Sequence, residues 1–269
     1  MPWSSLAKEP TNNKSIKTDD YTMKIKLGLC SMYPAPGILE RIAPDWDWVW
    51  LDGQHGQMAG HGEMLAMVRA CELVNRPAFV RVPSHESGWI GLALDMRAAG
   101  VIVPQVETPK QALAVVRAAK FPPLGNRSYG SRRNIDFSGR LYSDTANTAT
   151  MLVCQIESPE AVELADEIAA IKGVDALFLG QDDLLLRMGC VMDAKPEQTR
   201  EIIQKNALRV AAACQKHGKQ AFGVGMGESM TRLYKEAGYQ WIVAGGDVPF
   251  LANSSKETAS AARKTISSI

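Results

Sequence analysis

MLVCQIESPEAVELADEIAAI, residues 151–171, is one complete strand-turn-helix unit written in sequence. Residues 151–156 form an apolar run of strand length, interrupted only by Gln155. A strand without polar alternation is covered on both faces, as in a parallel sheet flanked by helices. Ser158 and Pro159 then read as an N-cap and a proline at the first helical position. Residues 159–171 carry apolar side chains at helical period.

The same pattern recurs on both sides of this unit. Strands are predicted at 25–30, 48–51, 78–82, 101–104, 151–156, 176–179, 221–224 and 241–244. Helices are predicted at 37–42, 60–74, 89–98, 109–119, 159–171, 197–217, 228–237 and 256–266, with Gly100, Gly173, Gly218 and Gly238 punctuating their ends. Eight βα repeats closing on themselves give an α/β fold of the (β/α)8 TIM-barrel type, expected as a single catalytic domain over 23–269. Residues 1–22, rich in Lys, Ser, Thr, Asn and Asp and without an apolar core, read as a flexible N-terminal extension. Residues 121–150 are the longest interruption of the repeat, a loop whose Arg127, Arg132 and Arg133 could serve bracing, subunit contact or substrate closure, the first two preferred.

Composition narrows the function. Thirty Lys and Arg against 29 Asp and Glu leave a formal charge of +1, so no basic field points to nucleic acid or to an anionic membrane surface. No apolar stretch approaches the roughly 20 residues that span a bilayer. A soluble, cytoplasmic protein acting on a small molecule is the expectation. The five cysteines are odd in number, scattered and free of any CxxC pair, which argues against a disulfide framework or a zinc knuckle.

In a TIM barrel the chemistry gathers where strands end. Glu157 closes the 151–156 run, and Asp183 follows the 176–179 run in VDALFLGQDDL. Two acids at that mouth repel each other unless a divalent cation lies between them, and such a cation is a Lewis acid for the reaction. In DWVWLDGQHG, residues 47–56, Trp50 and Asp52 share one strand face and His55 follows just past its end. Asp52 is placed to orient the imidazole as a general base, or to cap the Gly53 turn. Arg81, at the end of PAFVRVP, offers a guanidinium fork to a carboxylate or an enolate oxygen, or a structural ion pair to Asp52 or Glu157. Gln155 shares the face of Glu157 and is read as a substrate contact or as packing. Gly180 allows close backbone approach to a small anion, and Asp182 reads as the cap of the helix that follows.

Taken together and in order, WLDGQH, VRVP, ALDMRAAGVIVPQVET, PPLGNRSYG, QIES and LGQDDL resemble the HpcH/HpaI class II pyruvate aldolase family over nearly the whole chain from Lys24. The resemblance implies a divalent metal, usually magnesium but also manganese or cobalt, on Glu157 and Asp183, with pyruvate or oxaloacetate as the 2-oxo acid. It implies Arg81 on the keto or enolate oxygen, the Asp52–His55 dyad as base, and Gln155 beside the metal. It also implies that Asp95 reaches a neighbouring subunit's site in a homohexamer, a trimer of dimers with swapped eighth helices. Trp50 brings the chain closer to fungal macrophomate synthase, which couples oxaloacetate decarboxylation to addition on a 2-pyrone. Two positions differ from the family pattern: Gln54 replaces a glutamate, removing a charge near the base, and Gln181 replaces a proline, removing a restraint on its loop. The expected function is a metal-dependent carbon–carbon lyase. A barrel that binds a small acid without turning it over is the alternative of a different class.

Overall fold

The computed structural model describes residues 24–58, 60–191 and 196–268; the expected extension at 1–22 lies outside them. Its centre is a closed barrel of parallel strands in sequence order: β1 Lys26–Ser31, β2 Trp48–Asp52, β3 Ala78–Arg81, β4 Gly100–Val103, β5 Met151–Ile156, β6 Ala176–Leu179, β7 Gln220–Val224 and β8 Trp241–Gly246. β8 closes on β1. Each strand falls where an apolar run predicts it, because burial on both faces leaves the strongest signature a strand can have.

Helices alternate with the strands: α1 Pro36–Ile42, α2 His61–Leu73, α3 Ser87–Asp95 and α4 Pro109–Ala119 in the first half. Within the expected 121–150 loop the chain forms α5 Arg132–Ser138 and α6 Tyr142–Ala149. Both are short, and neither builds a long apolar stripe, which is why periodicity does not announce them. The helix expected over 159–171 is divided into α7 Pro159–Glu163 and α8 Ala165–Ala169. α9 Gln181–Arg187, α10 Pro196–Lys216, α11 Glu228–Glu236 and α12 Asp247–Ser267 complete the order. No helix among the described residues is long and apolar enough to cross a membrane.

Two large apolar clusters divide the molecule, and a third, of Phe121, Tyr142 and Ala146, lies within the 121–150 segment. Of the two, the larger lies between strands and helices, and the smaller fills the barrel itself. Inside the barrel Trp48, Phe79, Phe222 and Trp241 form an aromatic layer, with Phe222 stacked on Trp241 at 4.8 Å and Trp48 edge-on to Trp241 at 5.6 Å. Bulk on one strand is matched by its absence on the next: a Cβ at Gly28 would lie 2.3 Å from the Trp48 ring, and one at Gly100 would lie 2.5 Å from Phe79. This layer fills the lower barrel, as side chains do in TIM barrels, and a cleft opens at the C-terminal ends of the strands.

α12 begins nine residues earlier than expected, at Asp247. The buried Asp247 carboxylate accepts the Ser31 hydroxyl at 3.1 Å and the N–H groups of Met32 and Tyr33 at 2.9 and 3.0 Å. That anchor fixes the direction in which the helix leaves. From Phe250 onward every residue of α12 is exposed, so the helix stands away from the wall of its own barrel.

Candidate active site

A cleft of about 260 Å³ opens at the C-terminal ends of the strands. Its polar surface comes from His55, Arg81, Gln155, Gln181, Asp182 and Asp183, and its apolar walls from Trp50, Phe178, Leu186 and Val224.

The β2–β3 register places Asp52 opposite Arg81. Arg81 donates from Nε to Asp52 Oδ1 at 2.9 Å and from Nη2 to Oδ2 at 2.5 Å, and both side chains are buried. The remaining capacity of Oδ1 is taken by the N–H groups of Gln54 at 3.0 Å and His55 at 3.2 Å, which ties down the turn beyond β2. Burial pushes the Asp52 carboxyl up, but Arg81 and the two turn N–H groups outweigh it and hold it below the usual carboxylate range. In the sequence either the His55 imidazole or the Arg81 guanidinium could partner Asp52. The fold brings Asp52 to the guanidinium and to the backbone of His55, with no bond to the His55 ring. A two-point fork between register neighbours is a stronger contact than one bond to a loop imidazole.

Trp50 lies over the same guanidinium, with Arg81 Cζ 4.6 Å from its ring centroid, and meets Phe178 edge-on at 5.3 Å. The expected alternation of Trp50 and Asp52 onto the inner face is thus realised.

Glu157, just past β5, is 1% exposed. Its Oε1 accepts the Gln105 N–H at 2.7 Å, whereas Oε2 is buried with no partner among the described residues. Two residues earlier, Gln155 Oε1 is also buried and unpartnered. Burial pushes the Glu157 carboxyl up, the Gln105 N–H opposes that, Asp183 raises it further, and it reaches about 7. Gly180 presses on both residues: a Cβ there would lie 2.7 Å from Glu157 Oε2 and 2.8 Å from Gln155 Nε2.

Asp183 lies in the first turn of α9, and its charge acts on both Glu157 and Asp182. Asp182 is not the cap that the sequence suggested. Gly180 occupies the N-cap with a non-helical backbone, so Asp182 falls inside the first turn and lines the cleft. Burial, followed by the Asp183 charge, raises its carboxyl above the ordinary value. Gln181 accepts the hydroxyl of the buried Tyr234 at 2.8 Å, so a bond to α11 replaces the restraint a proline gives.

Asp95 stands apart. It ends α3, at the opposite end of the barrel, where it accepts Arg127 Nη2 at 2.7 Å and its carbonyl accepts the Ser131 hydroxyl at 2.9 Å. Within its own chain it braces the 121–150 segment. Burial pushes the Cys30 and Cys154 thiols far up, so neither is a thiolate nucleophile.

A divalent cation fits these residues. A buried carboxylate oxygen without a donor is costly, and Glu157 Oε2 is such an atom, in the field of the Asp183 charge. Among the described residues no three His, Cys, Asp or Glu side chains gather as a set of ligands. Glu157 and Asp183 would hold a hard cation together with oxygens of water and substrate, the mode magnesium prefers. Neither Phe178 nor Gln105 stands out in the sequence as a site residue. Phe178 looked like ordinary strand core, and Gln105 acts through its backbone, which no side-chain pattern reveals.

A profile of the HpcH/HpaI aldolase/citrate lyase family matches residues 38–254. The chain belongs to that family. Proteins similar to it in sequence include the 4-hydroxy-2-oxovalerate aldolase of Novosphingobium aromaticivorans, 34% identical over 83% of this chain and 84% of that enzyme. The hydroxypyruvate/pyruvate aldolase of Roseovarius nubinhibens is 30% identical over 93% of this chain and 96% of its own. Among solved structures, macrophomate synthase superposes with a TM-score of 0.78 at 25% identity, covering 90% of this chain and 85% of its own. Membership in an aldolase and lyase family makes this HpcH/HpaI protein an enzyme of the carbon–carbon lyase kind.

Proposed function

We propose that this protein is a divalent-metal-dependent lyase that makes and breaks carbon–carbon bonds of 2-oxo acids through a pyruvate enolate. Aldol and retro-aldol reactions and the decarboxylation of oxaloacetate share that intermediate. The observation carrying the proposal is the donorless, buried Oε2 of Glu157, set in the field of Asp183 at the mouth of the barrel. Magnesium is the first choice of cation, with manganese or cobalt as substitutes. When bound, the cation supplies Lewis-acid stabilisation of the charge that builds on the keto oxygen.

The chain's own groups do the rest. Arg81 has Nε and Nη2 committed to Asp52, and Nη1, bonded to no described residue, is the arm left for the keto oxygen. Asp52 holds that arm in place. His55, on the cleft wall, takes the proton from the C4 hydroxyl of a 4-hydroxy-2-oxo acid; the C3–C4 bond then breaks, its electrons pass to the keto oxygen, and an aldehyde leaves. With oxaloacetate the same bond breaks and CO2 leaves without a base. Gln155 presents its amide to substrate oxygens, and the Gly180–Asp182 turn shapes the carboxylate end. Trp50 and Phe178 exclude water from one side.

Trp50 favours a second reading, enolate addition to a flat acceptor such as a 2-pyrone, because its indole forms the wall of the cleft beside Arg81. The projecting α12 supports a homo-oligomer in which this helix lies on a neighbouring barrel, assembled as a trimer of dimers, with Asp95 facing a neighbour's site. Light scattering after size exclusion checks this, a monomer counting against it.

The test of the function uses chelator-treated protein with oxaloacetate, and with pyruvate plus a short aldehyde. Turnover should return with Mg²⁺, Mn²⁺ or Co²⁺ and be absent in Glu157→Gln and Asp183→Asn, both still folded. Cation binding without turnover of any 2-oxo acid assigns the barrel to binding alone. A product containing both oxaloacetate-derived carbon and an added pyrone supports the second reading.

A further inference from the structure

The loop between β4 and α4 is held against the cleft from three sides. Gln105 has φ of 54°, in the left-handed region that non-glycine residues seldom occupy, and this backbone aims its N–H at Glu157 Oε1. The next N–H, of Val106, bonds the Gln155 carbonyl at 3.2 Å. The next side chain, Glu107, is paired with Arg187 at the end of α9. Arg187 lies four residues after Asp183, one helical turn along the same side. The connection is thereby closed: Glu157 to Gln105, Gln105 through Val106 to Glu107, Glu107 to Arg187, and Arg187 through one turn of α9 to Asp183.

We infer that Glu107 and Arg187 are a positioning pair that sets the placement of Asp183 relative to Glu157, and so the affinity of the site for a divalent cation. The inference rests on the cation reading proposed above. Fold stability is a poor account of the pair, since both side chains are about one-third exposed and exposed pairs contribute little. What the pair does have is location. It joins the loop that fixes one carboxylate to the helix that carries the other, across strands β5 and β6, which no other ion pair among the described residues spans in the same way. Groups that orient metal ligands from behind control affinity by about 10- to 100-fold.

The test is titration of metal-free protein with Mn²⁺ alone, reading free Mn²⁺ by electron paramagnetic resonance, so that turnover does not enter. Wild type is compared with Glu107→Gln, Arg187→Gln and the double reversal Glu107→Arg with Arg187→Glu. Each single variant should bind Mn²⁺ about tenfold more weakly, the double reversal should recover most of the affinity, and the thermal midpoints should stay close together. A pair acting only through its charges predicts opposite signs: removing Arg187 would tighten the site and removing Glu107 would weaken it. That outcome overturns the inference, as does unchanged affinity in both single variants or no recovery in the double. Wild type that binds no Mn²⁺, or binds it equally well after Glu157→Gln, overturns the cation reading itself and this inference with it.

Discussion

Asp52 grips Arg81 at two points, 2.9 and 2.5 Å, while its first oxygen also gathers two N–H groups of the following turn. One carboxylate therefore orients the guanidinium and shapes the loop that carries His55. In Asp52→Asn the buried guanidinium loses its countercharge. Stability should fall by about 3 kcal/mol, read from denaturant unfolding, and aldol and decarboxylation rates should fall together. Loss of only one of the two activities would remove Arg81 from their shared step.

Gly180→Ala tests how tightly the placement of Glu157 and Gln155 is set. Gly180 has φ of −84°, a value alanine adopts without strain, yet its Cβ would land 2.7 Å from Glu157 Oε2 and 2.8 Å from Gln155 Nε2. Turnover should fall at least about 100-fold, as misplacement near 1 Å does at reacting centres. The thermal midpoint should fall as well, because a third contact, 2.8 Å to the Cβ of the buried Glu157, is not relieved by a change of rotamer. Wild-type kinetics in this variant would show that the two side chains swing aside freely and that their placement is unimportant.

Glu157 gives the metal-free protein a distinctive pH dependence. Its carboxyl titrates near 7 in the folded state against 4.5 ordinarily. Between those values the folded state keeps a proton that the unfolded chain has released, so stability is highest below the window and declines as pH rises through it. The decline attributable to this group is on the order of 3 kcal/mol. Thermal melts of chelator-treated protein from pH 5 to 8 should show it, and Glu157→Gln should flatten the curve. Parallel curves for the two proteins would place the burden elsewhere.

His55→Ala should impair aldol cleavage by about 100-fold or more, the usual contribution of a general base. Decarboxylation of oxaloacetate should suffer far less, since release of CO2 removes no proton from the substrate. Rates measured on the same preparation decide it, and equal losses would contradict the role.

The barrel was legible because its strands are buried on both faces, so the run at 151–156 and its counterparts announce themselves without alternation. Trp50, Asp52, Arg81, Gln155, Asp182 and Asp183 were legible as a group for a related reason: a polar or aromatic residue at the end of such a run has only the mouth of the barrel to face. Pairing was harder. Asp52 had a histidine three residues away in sequence and an arginine 29 away, and only the β2–β3 register shows that the distant one is adjacent. Asp182 and Asp183 look alike in sequence, and the non-helical backbone of Gly180 decides that neither is a cap. Gln105 and the Glu107–Arg187 pair left no trace, because a left-handed backbone at glutamine and a contact across 80 residues are products of the assembled fold.

The aromatic layer of Trp48, Phe79, Phe222 and Trp241 gives the cleft a solid base. A vessel sealed below has one doorway, so whatever enters must leave by the route it came. Reactants and products therefore share the C-terminal mouth, and four rings that lie away from the polar groups of the cleft decide that nothing passes through the floor.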